Sequence, residues 1–333
     1  MFDAKRIGEE VSKMVDPEAK RGKMLPIDAE TATRRIEIGR AFYQENGGKA
    51  VSFGTFDEMD ECVEVRSIIT DETLRGQGLA TKVTQKVVLG AQRLTPKPLV
   101  ALCNNESSGL FRKLGFRLAA KELGFPELWQ ECQGCSEYGN WPNCHCQYMQ
   151  LLGKMYEKRG NVFSVIELSK ENDKDVMGTA SLYCEVWREP PWLETDWKPN
   201  EVEKDFKKNL SKENGIALIA IYDGNIVGFT SGWNIGPKEI TKRADGMLSI
   251  DDFDGQSVFY VAELAIGWQY RQAGIGKQLS LDLIAKAKKG GANRFLLRTN
   301  LNATAARTLY SNLGFVETKA SDVRFADRTY WVL

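Results

Sequence analysis

Two long stretches of the chain repeat one alternation of apolar and polar positions. Residues 62–70 (CVEVRSIIT) and 258–266 (VFYVAELAI) concentrate β-branched and aromatic side chains over a strand's length, and each predicts a strand. After a short loop, Leu79, Val83 and Val87 in one stretch, and Leu279, Leu283 and Ala287 in the other, fall at i, i+4 and i+8. That spacing puts each trio on one face of a helix. Gly90 and the Gly290-Gly291 pair are the expected helix stops. PLVALC at 98–103 and RFLLRT at 294–299 predict a further strand each, followed by an Asn-containing turn and a second helix. Both stretches therefore read strand, glycine loop, helix, strand, helix, strand.

Upstream, the two differ. The later one has a predicted strand near 162–168, a helix through Tyr183 and Trp187 that must end before Pro190-Pro191, and a charged helix near 200–212. IALIAIYDGNIVGFTSGW then reads as two strands about an Asp223-Gly224 turn. The earlier stretch has fewer residues in front of it, predicting a helix over 28–45 and one strand, KAVSFGTF, so its front end looks abbreviated. The polar, glycine-containing GKMYEKRGN at 153–161 is the expected linker between domains at 1–152 and 162–333. The fold class expected is α/β with mixed sheets, as two tandem domains flanked by helices.

Composition narrows the class. At 333 residues the chain exceeds what one core usually organises, and 42% hydrophobic with 27% charged residues suits packed domains. Lys plus Arg and Asp plus Glu each total 45, so no global charge draws the chain to nucleic acid or to an anionic membrane. No basic start followed by an apolar run and no 18-residue apolar stretch occur, which points to a cytoplasmic protein. The single histidine, His145, leaves no His pair for catalysis.

The glycine loops carry the chemistry. LRGQGLATKVTQKVV at 74–88 and YRQAGIGKQLSLDLI at 270–284 share R-x-x-G-x-(G or A), and SGLFRKLGF at 108–116 and RTLYSNLGF at 307–315 share a second motif. Arg75 and Arg271 are 196 positions apart, Phe111 and Tyr310 199, so the two motifs recur in order at nearly constant spacing, as in a duplicated domain. A glycine loop entering a helix presents backbone N–H groups to an anion at the positive end of the helix dipole. A Walker A loop is excluded because Gly276-Lys277 is followed by Gln278. A dinucleotide fingerprint wants an acidic residue closing the next strand, where the two copies end Arg-Thr-Asn and Leu-Cys-Asn.

Both halves resemble the GNAT superfamily of acetyl-CoA-dependent N-acetyltransferases. The second does so through AELAIGWQYRQAGIGKQL and NATAARTLYSNLGF, the first over about 49–120. The resemblance implies a mixed, twisted sheet whose fourth and fifth strands splay to admit pantetheine, with acetyl-CoA as co-substrate. Backbone of Leu264, Ala265 and Ile266 would then flank the pantetheine, while Arg271, Gln272, Ala273, Gly274, Ile275, Gly276 and Lys277 would wrap the diphosphate. Gln272 stands where many relatives have glycine. Asn302 would bind cofactor or cap its helix. In the first copy Arg75, Gly76, Gln77, Gly78 and Ala80 form the corresponding loop.

An alkyl amine of pKa near ~10.4 needs a base before it attacks a thioester, and an expelled thiolate gains from a nearby proton donor. By the resemblance, Glu263 is the expected base and Tyr310 the expected acid; a strand-edge carboxylate and an aromatic helix anchor are the plain alternatives. The first copy has Ser67 and Phe111 there, which suits binding without turnover or a structural role. WREPPWLETDW supplies Trp187, Trp192 and Glu194 as candidate acceptor contacts, since aromatic walls with carboxylates suit a cationic amine. The acidic DGMLSIDDFDG at 245–255 reads as a flap or a long solvated hairpin.

Cys132, Cys135, Cys144 and Cys146 form C-x2-C-x8-C-x-C, four thiols that enclose a structural zinc, with His145 as a substitute ligand, or else form a CxxC redox pair or remain ordinary thiols. The expected activity is transfer of an acetyl group to a primary amine of a small molecule or peptide in a ternary complex, with the chemistry in the second domain. A non-catalytic acyl-CoA sensor and a zinc-stabilised interaction protein are the alternatives.

Overall fold

The computed structural model describes residues 3–130 and 146–333. The chain divides into two compact units, Met1–Tyr156 with Val162–Ser164, and Glu157–Asn161 with Val165–Leu333. Among the described residues the strands form two sheets.

The first unit opens with α1 (Ala4–Lys20) and α2 (Ala29–Glu37). β1 (Ala41–Asn46), β2 (Lys49–Glu58), β3 (Val63–Thr70), α3 (Leu79–Leu94), β4 (Leu99–Cys103), α4 (Asn105–Lys113), β5 (Phe116–Leu118) and β6 (Gln147–Leu151) follow, with strand order β1-β2-β3-β4-β6-β5. The helix expected over 28–45 is thus two elements. Gly39, at φ +72°, turns the chain out of α2, and Ala41–Asn46 pairs antiparallel with β2 across Gly47 and Gly48, both at positive φ. The front end is fuller than the sequence suggests, because Ile7, Val11 and Val15 give α1 a fully buried stripe. Gly90 does not stop α3. A Cβ there would lie 2.4 Å from the Phe42 ring, so the glycine lets helix and strand approach closely.

The second sheet runs β13-β14-β12-β11-β10-β9-β8-β7. The segment 153–161 is no linker loop: it holds β7 (Gly153–Lys158) and, through a turn at Arg159 and Gly160, enters β8 (Asn161–Glu167). α5 (Asp173–Trp187) and α6 (Pro199–Leu210) precede the hairpin β9 (Ile216–Tyr222) and β10 (Asn225–Ile235), whose turn is Asp223-Gly224, both at positive φ. α7 (Pro237–Arg243) follows β10, and a 3-10 turn at Ile250–Phe253 stands within the 245–255 segment where a flap or hairpin is expected, with Phe253 anchoring it in the core. β11 (Val258–Ile266), α8 (Ile275–Lys289), β12 (Arg294–Asn300), α9 (Thr304–Asn312), β13 (Val316–Ser321) and β14 (Arg328–Val332) complete the unit. Leu279, Leu283 and Ala287 of α8 are fully buried, as their spacing requires.

The feature that positions the site occurs in both units. β11 and β12 pair in parallel from Val258↔Arg294 to Val261↔Leu297 and then part, though both strands continue. β3 and β4 likewise pair at Val63↔Leu99 and Glu64↔Val100 and then part. Among the described residues no helix is long and apolar enough to cross a membrane.

Candidate active site

The loop after β11 enters α8 through two left-handed residues, Gln272 at φ +64° and Gly274 at φ +84°, the latter being the helix N-cap. The first unit builds the same path with Gly76 at φ +80° and Gly78 at φ +76° as the cap of α3. Glycine suits such positions, and Gln272 occupies one at a steric cost. Gly274 carries no side chain to cap α8, which leaves its first-turn N–H groups free of a side-chain cap and suited to an anion. The Arg159 guanidinium donates to the Gln272 carbonyl at 2.5 Å. Arg271 is already engaged: Nε donates to the Ile266 carbonyl at 3.0 Å and Nη2 pairs with Glu189 at 2.5 Å. Arg75 has the corresponding arrangement, paired with Glu18 of α1 at 3.0 Å. The loop arginine thus ties the loop to a carboxylate at or just past the end of a helix in each unit.

Glu263 lies where β11 leaves β12. The register shift between Ser231 and Gly232 of β10 leaves Ala262 out of the ladder beside it, and Thr230 donates to its carbonyl at 2.8 Å. Its side chain lines a cavity of about 600 Å³ together with Tyr183, Trp187, Trp192, Glu194 and Trp197. Those aromatic rings stack: Tyr183 and Trp187 lie 4.1 Å apart and nearly parallel, and Trp192 extends the row at 6.0 Å. Part of the Glu263 surface faces this cavity while protein surrounds the rest. Burial first, and the Glu194 carboxylate second, push its carboxyl up to about 8 against the opposing pull of Arg298, Arg328 and Arg243.

Tyr310 is buried in α9, its ring edge-on to Phe315 at 5.9 Å. Burial and the nearby Glu263 carboxylate raise its phenol above the ordinary value, so it is a neutral O–H, and it sits in the electrostatic reach of Glu263 without lining the cavity. In the first unit Phe111 packs edge-on to Phe116 at 5.2 Å, the same ring pair lacking the hydroxyl. Asn302 is exposed and does not cap α9: Ala303 holds the cap position without a side-chain bond, and the Asn300 side chain accepts from Asn302 N–H instead. Asn104 does cap α4 in the first unit.

The cavity is not the simple carboxylate cage that its tryptophan segment suggests. Five cations, Lys242, Arg243, Arg298, Arg324 and Arg328, share the lining with four carboxylates. Arg298 pairs with Asp322, Arg328 with Glu194 and Arg243 with Glu239, each at 2.6 Å. Sequence reading passed over these arginines. The signal available was a charged residue inside each apolar strand, RFLLRT and RTYWV, which must find a partner once buried. Of the cysteine cluster, Cys132, Cys135 and Cys144 lie outside the described residues, as does His145; Cys146 stands just ahead of β6. Among the described residues no group of three or more His, Cys, Asp or Glu side chains is placed to hold a metal ion.

Comparison with known proteins adds the following. Residues 179–315 match the model of the Acetyltransferase (GNAT) family, and residues 59–125 match that of FR47-like proteins. Among solved structures, an acetyltransferase of the GNAT family from Streptococcus pneumoniae is 21% identical, with 51% of this chain and 98% of that chain covered at a TM-score of 0.38. A putative acetyltransferase from Salmonella typhimurium, solved with its cofactor acetyl-CoA, is 16% identical over 51% of this chain and 92% of that chain, at 0.38. The NatC complex bound to Gag peptide and CoA is 18% identical over 51% of this chain and 97% of that one, at 0.39. No curated protein matches the chain at a significant level.

Proposed function

We propose, from the premise that this chain belongs to the GNAT superfamily of acetyltransferases in a tandem two-domain form, that its second unit transfers acetyl from acetyl-CoA to a primary amine by direct attack in a ternary complex. One observation carries the reading: a single raised carboxyl, Glu263, stands at the point where β11 and β12 part, with an aromatic cavity on one side and the α8 loop at the end of the same strand.

The residues present fit the co-substrate. The parted strands leave the Leu264 to Ile266 stretch of β11 without a β12 partner among the described residues, and the α8 N-terminus offers amides to a diphosphate. Acetyl-CoA supplies the activated acyl carbon and a thiolate leaving group. Ionised Glu263 takes a proton from the amine at a carboxylate oxygen, directly or through water, and a carboxyl near 8 is matched to that task around neutral pH. The neutral Tyr310 hydroxyl returns a proton to sulfur. The N–C bond forms as the C–S bond breaks, and solvent resets both groups. Trp187 and Trp192 hold the acceptor's carbon skeleton away from water. The first unit, with Ser67 and Phe111, has neither group and serves binding or structure.

Thiol release from acetyl-CoA, followed with a panel of amines, tests this. Amine-dependent release is expected, and tight CoA binding with no amine response would make the chain a sensor. Tyr310→Phe is expected to lower kcat by 10- to 100-fold, about 1.4–2.7 kcal/mol, with acetyl-CoA affinity little changed; equal loss in both would reduce Tyr310 to packing.

A further inference from the structure

The charges of the cavity do not cancel, and where they fail to cancel is informative. Three of its five cations are spent on Glu194, Glu239 and Asp322. The remaining two, Lys242 and Arg324, are exposed at the mouth and have no carboxylate within ion-pair distance among the described residues. Val323 and Phe325, also exposed, flank Arg324 on the same segment.

Arg328 lies deeper in the same lining. Arg328 is about nine-tenths buried, yet its Nε–H has no hydrogen-bond partner among the described residues. Its guanidinium is fixed by Glu194 through Nη2 and lies against the Phe325 and Trp192 rings at 3.9 and 5.1 Å. That Nε–H is closed off from the cavity, so Arg328 shapes the wall through its ion pair and ring contacts, and Lys242 and Arg324 are the cations a ligand can reach. None of residues 271 to 276 lines this cavity, so Lys242 and Arg324 stand apart from the loop expected to hold the diphosphate. Glu263, the remaining carboxylate of the lining, has no ion-pair partner among the described residues and faces the interior.

We propose that the acceptor of this cavity is a primary amine that carries an anionic group, a carboxylate or a phosphate, seated between Lys242 and Arg324 while its amino end reaches Glu263. The proposal rests on the acetyl-transfer reading and deepens it. An acceptor of this kind meets cations at the mouth and a proton acceptor inside, whereas a polyamine meets two uncompensated cations before it enters. Its two charged ends also fix its direction, so the amine and not the acid is presented to the acyl carbon.

Matched acceptors decide it: 4-aminobutanoate against 4-aminobutanamide, O-phosphoethanolamine against ethanolamine, and 1,4-diaminobutane as the cationic case. The anionic member of each pair is expected to have the higher kcat/KM, by about tenfold, since charge-assisted hydrogen bonds are strong ones. The carboxylate and phosphate arms show which anion is taken. Arg324→Ala and Lys242→Ala are expected to pull the anionic-to-neutral ratio toward one, chiefly through KM, and Arg324→Lys to retain most of it. A higher kcat/KM for ethanolamine or diaminobutane, or a ratio unmoved by either alanine variant, overturns the anionic acceptor and leaves acetyl transfer standing. No release with any amine overturns both.

Discussion

Glu263 shows how little a residue's identity says before its surroundings are known. In the sequence it is one carboxylate among 45 acidic side chains, picked out by its place before a glycine loop together with the family resemblance. Burial turns it into a group near 8. Two outcomes follow from that shift. Amine-dependent kcat/KM should rise with pH along a limb centred near 8, because the base works only when ionised, and Glu263→Gln should abolish the limb and cut the rate about 100-fold. Stability moves in the opposite sense. The folded value lies above the ordinary 4.5, so the stabilisation due to the neutral carboxyl is complete below that value and is lost as pH climbs through about 8. In melting curves across this range, Glu263→Gln should match the parent protein at low pH and exceed it above pH 8. The arginines were harder to foresee. Arg298 lies within β12 and Arg328 opens β14, and only the tertiary fold reveals that their partners are Asp322, 24 positions away, and Glu194, 134 positions away.

At the scale of elements, sequence legibility followed periodicity. β11 and α8 were readable because β-branched runs and an i, i+4, i+8 stripe are local signals, and a glycine pair closes α8. α1 was not. Its apolar stripe of Ile7, Val11 and Val15 is diluted by charged neighbours, and Pro17 near its end argues against a helix that nevertheless persists. The 28–45 segment misled because a short helix and a strand abut at Gly39, where a left-handed backbone resets the period. The loop into α8 gives a test of its own. Gln272 holds a backbone conformation that glycine adopts freely, so Gln272→Gly should leave stability unchanged or raise it by up to about 1 kcal/mol. Gly274→Ala, forced to the same side of φ, should lower it by about 1–2 kcal/mol and weaken CoA binding. Chemical denaturation with calorimetric CoA titration reads both.

For the molecule as a whole, duplication is legible in the motif spacing, and the chain divides into two compact units. The copies have kept the framework and differ at the proposed reacting groups: the loop arginine pairs with a carboxylate in each, and an edge-on ring pair supports the second motif in each, while Ser67 and Phe111 stand where Glu263 and Tyr310 do. If the second unit alone carries turnover, the double variant Glu263→Gln, Tyr310→Phe should lose all amine-dependent thiol release in the full-length chain. Residual release that responds to changes at Arg75 would place a second working site in the first unit.

The early parting of β11 from β12 has a thermodynamic corollary. An interior sheet normally admits a guest only after ladder bonds are sacrificed, but here the bonds beyond Val261 and Leu297 were never made. A strand-like guest can zip onto that bare edge as net gain, adding backbone bonds while displacing only water. Deuterium uptake should therefore slow between Ala262 and Ile266 when CoA is supplied, with the β9–β10 hairpin keeping its own pace, and equal slowing across the whole sheet would mean general tightening instead of a filled seam.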